Sequence, residues 1–299
     1  PPRGRLTLAS GAPVMTTAQS AKTTLYYTPY TGNRIPVHNG AEMVPTAFAE
    51  LSAATTDTAK NPSAIGAGKV NDWFVWNDSG TLRLSHGPDW TDDTTRSAGT
   101  ALTMVDGVLL NNASITNGPA ASRGTYVGTT RSNASSQLDF IPGASASGGG
   151  AAVVGLWNMY NRRSAQLFVQ DSTVGWSYTS AAWRAANNSA GNRISFVCGL
   201  VEDGVQASYA SLAFSTSSAV QIGISIALDA TNAIAANATS FTTYFAAGIN
   251  NQISCVANYS GYPGVGFHYL QAIESGGTNG TFNGVNGITR SGFIATVWY

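Results

Sequence analysis

Gln221–Leu228 reads QIGISIAL, with apolar residues at every second position. Ile222, Ile224, Ile226 and Leu228 fall on one side of an extended chain, and Gly223, Ser225 and Ala227 on the other. A period of two marks a β-strand, because successive side chains point to opposite faces. Ile194, Phe196 and Cys198 share a face within Arg193–Cys198, as do Ile253 and Cys255 within Gln252–Ala257. In Phe293–Tyr299 (FIATVWY), Phe293, Ala295, Val297 and Tyr299 alternate with Ile294, Thr296 and Trp298. Both sets are largely apolar, so this segment reads as a strand buried on both sides or lying in an interface. Ala151–Trp157 (AAVVGLW) reads as a buried strand.

Between these runs stand turn formers. Asp203-Gly204, Asn39-Gly40, Ser79-Gly80 and Asp106-Gly107 are expected to close tight turns, since such pairs tolerate positive φ. One helix is expected, two turns over Thr46–Ala54 (TAFAELSAA) with Thr46 as its cap. Elsewhere glycine and β-branched residues are too dense for long helices. The predicted fold is all-β in three zones. Residues 1–66 carry Pro13, Pro29, Pro36, Pro45 and Pro62, and are expected to be an extended attachment or stem region. Residues 67–142 read as short strands with many turns. Residues 143–299 begin with a small-residue spacer or long hairpin loop, Gly143–Gly150, and read as a β-sandwich or jelly-roll-like domain.

Charged residues make up 10% of the 299-residue chain, against about 25% in ordinary soluble proteins. The 15 acidic and 15 basic residues cancel. Hydrophobic residues reach 43%, so the scarcity of charge is not a sign of disorder. Ser, Thr, Asn and Gly supply the polarity. Phosphate contacts need clustered Lys and Arg, and the nearest approach to a cluster is Arg162-Arg163, so nucleic acid is not an expected partner. No apolar run is long enough to insert in a bilayer as a helix. A neutral surface suits burial against other subunits or contact with uncharged glycans. The chain opens on Pro1-Pro2, with no visible signal peptide, as expected of a processed chain or a piece of a longer one. Cys198 and Cys255 both lie in apolar alternating runs and are expected to be buried thiols, a disulfide between them being the alternative.

No cofactor and no catalytic residue is assigned. His38, His86 and His268 are far apart and none has a second ligand at zinc spacing. Gly143–Ser147 lacks the closing glycine of a serine-hydrolase elbow. Gly66–Val70 lacks the first glycine of a phosphate loop, and Val70 replaces the hydroxyl residue that would hold Mg²⁺. Asp89, Asp92 and Asp93 in one loop, or Glu202-Asp203, could act as paired carboxylates, and the loop could hold Ca²⁺. Acids in turns are ordinary, and solvated turns are the expected reading. Sequons such as those at Asn77, Asn112 and Asn258 arise readily in a chain rich in Asn, Ser and Thr. Aromatics remain. Trp and Tyr present an apolar body with a polar tip, on which the C–H face of a sugar ring can lie. Trp176, Tyr178, Trp183, Tyr259 and Tyr262 stand beside Ser, Gly or Asn and are the candidate carbohydrate-binding residues.

Several long stretches resemble tail-fibre-like structural proteins of tailed bacteriophages and prophages of alphaproteobacteria. They include GRLTLASGAPVM (Gly4–Met15), TLYYTPYTGNRIPVHNG (Thr24–Gly40), FVWNDSGTLRL (Phe74–Leu84), ITNGPAASRGTYVGTTRSN (Ile115–Asn133), GLWNMYNRRS (Gly155–Ser164) and RISFVCGLVEDG (Arg193–Gly204). The resemblance implies a virion protein of the tail or its fibres, usually a homotrimer that contacts the host surface. The expected chain attaches to other virion proteins through its N-terminal region and binds a host-surface glycan at its C-terminal tip. A capsid-bound head fibre or decoration protein is one alternative. A tail-borne glycan depolymerase using the acids of residues 89–93 is another, although no repeating β-helical rungs are visible.

Overall fold

The alternating runs form strands, and their buried parity faces a common interior. The computed structural model describes residues 1–215, 220–245, 252–285 and 289–299. The first zone holds β1 (Gly4–Thr7), β2 (Gln19–Lys22), β3 (Thr24–Pro29), β4 (Arg34–His38), β5 (Met43–Ala47) and β6 (Leu51–Ala54). The second holds β7 (Val70–Asp78), β8 (Thr81–His86), β9 (Leu102–Val105), β10 (Val108–Asn111), β11 (Thr125–Arg131) and β12 (Leu138–Ile141). The third runs through β13 (Ser145–Ala146), β14 (Ala152–Val154), β15 (Leu156–Asn158), β16 (Ser164–Asp171), β17 (Trp176–Tyr178), β18 (Arg184–Ala185), β19 (Arg193–Cys198) and β20 (Val205–Ser215). It ends with β21 (Val220–Leu228), β22 (Phe241–Phe245), β23 (Ile253–Gly261), β24 (Gly266–Ser275), β25 (Gly280–Asn283) and β26 (Gly292–Trp298). Helical structure among the described residues is confined to two 3₁₀ turns, Ala98–Thr100 and Ala186–Asn188. Among the described residues, no helix is long and apolar enough to cross a membrane.

Two sheets make a β-sandwich. One has eight strands in the order β2-β12-β14-β19-β24-β21-β22, with β18 on β24. The other has seven, β13-β16-β26-β20-β25-β17, with β23 on β20. Ile222, Ile224 and Ile226 of β21 and Phe196 of β19 share one core with Leu167 of β16, Phe293 and Val297 of β26, and Ala207 and Tyr209 of β20. A six-stranded sheet (β8-β7-β11-β10-β9, with β15 on β11), a three-stranded sheet (β1-β3-β6) and the β4-β5 hairpin complete the chain. The zones drawn from composition are joined by hydrogen bonding. β2 pairs with β12, and β11 with β15. Leu6, Leu8 and Leu25 belong to the same core as the sandwich.

Three of the four expected turns close hairpins. Ser79 and Gly80 take φ of 50° and 96° between β7 and β8, and Asp106 and Gly107 take 49° and 78° between β9 and β10. These are the positive φ values a two-residue hairpin requires. Asn39 begins a four-residue loop between β4 and β5, its Oδ1 accepting from the Ala41 and Glu42 amides at 2.8 and 3.0 Å. Asp203-Gly204 does not close a hairpin. It carries the chain from β19 in one sheet to β20 in the other, because the core decides which strands pair. Asp203 is buried there, accepting from Trp157 Nε1 at 2.6 Å and pairing with Arg162.

Two other expectations are corrected. Thr46–Ala54 is not a helix: β5 and β6 occupy most of it, and Thr46 bonds the Val44 carbonyl rather than capping anything. Pairing with β4 and β3 outweighs the local propensity, and Phe48 stacks on Tyr27 with ring centroids 5.0 Å apart. Ala151–Trp157 is not one strand. Gly155 breaks it so that β14 joins the eight-stranded sheet and β15 the six-stranded one. A Cβ at Gly155 would lie 2.8 Å from the Asp139 carbonyl oxygen, so only glycine allows that crossing.

Cys198 and Cys255 are free thiols in the sandwich core, on strands of opposite sheets. Burial pushes each thiol up to about 12. Both should therefore resist a thiol reagent at neutral pH in the folded protein and react only on unfolding. Serine at either position should lower unfolding stability by about 1–3 kcal/mol in urea titrations, through a hydroxyl set in an apolar site.

Candidate functional site

The outward parity of the seven-stranded sheet builds an ordered face. β26 pairs with β16 on one side and β20 on the other, and β20 pairs with β23. Register aligns Gln166, Thr296, Gln206 and Ser260 in one row across four strands. The next row is Phe168, Ile294, Ser208 and Asn258. On the other flank stand Trp298, 42% exposed, and Tyr262, 70% exposed. None of these positions carries a charge. Thr296 Oγ1 donates to Gln166 Oε1 at 3.2 Å, which ties the polar row together.

Two hollows lie on this face. One of about 350 Å³ is lined by Gln166, Gln206, Ser208, Asn258 and Ile294 among others. The second, about 460 Å³, is lined by Gln206, Asn237, Tyr262, Thr296 and Trp298 among others. Gln206, Ser260 and Thr296 border both, so the hollows form one continuous groove. Its chemistry is that of amides and hydroxyls beside two aromatic rings. Such a surface can hydrogen-bond hydroxyl groups and cover an apolar ring face, and it has no ionised group with which to hold an ion.

The five aromatics singled out in the sequence divide. Tyr262 stands on the groove. Tyr259 borders the first hollow, but it lies on the inward parity of β23 and is 3% exposed, so its ring serves the core. Trp176, Tyr178 and Trp183 are half-buried elsewhere, the first two beside Glu274 and its partner Arg184, and Trp183 on a separate hollow with Gly223 and Thr242. Trp176 Nε1 donates to Glu274 Oε2 at 2.8 Å and its ring stacks on Phe282. Arg184 donates to Glu274 Oε1 at 2.9 Å through Nε and lies 3.8 Å from the Tyr178 ring centroid. Burial raises the Glu274 carboxyl above its usual range, opposed by the bonds from Trp176 and Arg184. Trp183 sits over Gly223, where a Cβ would be 3.0 Å from the ring. Trp298 is a groove aromatic outside those five, and the polar row of Gln166, Thr296, Gln206 and Ser260 was likewise not among the candidates. The signal for Trp298 was the parity of FIATVWY: the strand is buried on its Phe293, Ala295 and Val297 face and open on the other.

The acids of residues 89–93 do not converge. Asp89 accepts from Asn71 Nδ2 at 2.9 Å, Asp92 caps the Thr94 and Thr95 amides, and Asp93 pairs with Arg131. His86 is buried between the Gly87 and Ser63 carbonyls, and burial lowers its affinity for a proton. His268 Nδ1 lies 2.8 Å from Asp229 Oδ2. Among the described residues, no three His, Cys, Asp or Glu side chains gather as metal ligands would.

The fold and this face define an all-β sandwich with an uncharged, aromatic-flanked groove. No protein-family model matches the chain, and no curated protein does. Among solved structures, a crystal structure of a Bacillus thuringiensis Cry1Da tryptic core variant is similar at 7% sequence identity and a TM-score of 0.20. The match covers 93% of this chain and 50% of that one, so the chain spans half the length of that structure. A likeness so slight carries no argument about fold or function.

Trp176 is bound into the protein through Glu274, which gives a direct test of its role. Trp176→Phe removes one hydrogen bond to a buried carboxylate and should cost about 1.5–3 kcal/mol in urea unfolding. A wild-type midpoint would show that the indole is not holding Glu274.

Proposed function

We propose that this chain is a recognition module whose groove on the seven-stranded sheet binds a neutral glycan, and that it serves as a tail-fibre or spike subunit of a tailed phage. One observation supports the glycan reading: the uncharged row Gln166, Thr296, Gln206 and Ser260, flanked by exposed Trp298 and Tyr262. Amide and hydroxyl groups match sugar hydroxyls, and the two rings offer faces on which a pyranose can lie. The virion setting rests on the resemblance of Gly4–Met15, Thr24–Gly40 and the other quoted stretches to tail-fibre-like proteins. In that setting the chain is a homotrimer.

Titration with neutral host-surface oligosaccharides tests the groove. Trp298→Ala and Tyr262→Ala should each weaken binding, roughly two- to tenfold on a ring-contact value of about 0.5–1.5 kcal/mol. The affinity should change little between low and high salt, because screening acts on charges and the groove has none. Unchanged affinity in both variants, or a collapse with salt, would remove the groove from the account. Native mass spectrometry checks the assembly, with a trimer expected and a stable monomer at micromolar concentration contradicting it.

A further inference from the structure

The eight-stranded sheet carries a second pocket of opposite character. On β24, Phe267 and Tyr269 alternate with buried His268 and Leu270, so both rings lie on the outward parity. Each ring has a guanidinium over it: Arg131 stands 3.9 Å from the Phe267 centroid, and Arg193 stands 3.9 Å from that of Tyr269. Together with Asp93, Ser132, Asn133, Asp139 and Ser195, these side chains enclose about 340 Å³.

Three of the four charges in the pocket are already engaged. Arg131 pairs with Asp93 at 3.3 Å. Asp139 accepts from the Ala21 amide at 2.7 Å and from Asn133 Nδ2 at 2.8 Å. Arg193 is different. Its Nε donates to Gln271 Oε1 at 3.0 Å, and it has no ion-pair partner among the described residues. Gln271 is itself buried and held, its Nε2 donating to the Asn192 carbonyl at 2.8 Å and the Ser189 carbonyl at 3.1 Å. Arg193 is therefore fixed twice, in plane by the Tyr269 ring and in rotation by Gln271. Its terminal nitrogens are left to meet a ligand. A guanidinium so oriented presents two parallel N–H groups, the geometry that a planar carboxylate matches.

We propose that this pocket binds a carboxylate-bearing sugar, a hexuronic acid unit, with Arg193 as its anchor. The two arginines and two aspartates of the walls balance, so what selects a single carboxylate is the open guanidinium edge of Arg193 rather than an excess of charge. A dianionic phosphate would be set against the Asp93 and Asp139 carboxylates on the same walls. Ser195, which pairs with Val153 on one side and Tyr269 on the other, places a hydroxyl in the pocket, and Asn133 adds an amide. These neutral groups suit sugar hydroxyls. The site lies on the other sheet from the neutral groove and does not rest on it.

Calorimetric or NMR titration with glucuronate, at constant ionic strength, tests the proposal, with glucose and inorganic phosphate run beside it. Glucuronate should bind saturably, glucose should not bind at this pocket, and phosphate should be weaker than glucuronate. Arg193→Gln should weaken glucuronate binding by about tenfold or more, as loss of a bidentate charged pair does. Arg193→Lys keeps the charge without the fork, and it carries the test if the glutamine variant does not fold. It should lose affinity severalfold while still unfolding cooperatively, at a somewhat lower melting temperature because the bond to Gln271 Oε1 is lost. Glucuronate that does not saturate, phosphate that binds more tightly, or a folded Arg193 variant with wild-type affinity would overturn the assignment.

Discussion

Alternation along β20 carries the architecture. The strand is 11 residues long, and its inward residues Val205, Ala207, Tyr209 and Ala213 belong to the sandwich core. Its two edges are both used, by β23 along one side and by β26 and then β25 along the other. The same pairing that buries one parity lines up Gln206 and Ser208 with their neighbours on the other. Core and groove are thus two faces of one register. A slip by one residue would exchange them and place polar side chains in the interior.

Arg5, Asp72, Asp171, Asp203 and Glu274 are buried charges. Asp72 is fully buried and accepts from Arg96 Nε at 2.9 Å and Thr129 Oγ1 at 2.7 Å. Glu274 and Asp203 are likewise buried and paired with arginines. Arg5 is buried beneath Tyr299, its guanidinium 4.8 Å from that ring, and donates to the main-chain oxygens of Pro13 and Tyr299 at 2.9 and 3.2 Å. Burial lowers its pKa, with the tyrosines acting against that effect. Removing one partner of such a pair leaves the other charge unanswered inside the protein, so these contacts hold distant segments in one arrangement.

Strands, their inward parity and three of the hairpin turns were legible in the sequence because they depend on residues next to one another. Period two and a pair of positive-φ residues act over a few positions. The buried thiols were legible for the same reason, since Cys198 and Cys255 sit in the apolar phase of their runs. Of the candidate aromatics, Tyr262 stands open on the groove, and Tyr259 borders it with a ring turned to the core. Trp176 and Tyr178 stand in sequence as Tyr262 does, beside polar turn residues, and nothing local foretells that Glu274 and Arg184, distant in the chain, hold them.

What the sequence by itself determined, then, is an all-β chain of low charge with alternating strands and tight turns. Tertiary structure alone decided that Asp203-Gly204 crosses between sheets, that Gly155 divides one apolar run between two sheets, and that Thr46–Ala54 is extended. It alone placed Trp298 across from Tyr262 and set Arg193 on Tyr269. The physical reason is common to all of these. Local signals define the conformation of a few residues, whereas strand partners are chosen by burial of a shared core and by pairing of buried charges. Those interactions join positions far apart in the chain, such as Arg5 with Tyr299, and no short stretch of sequence contains both members.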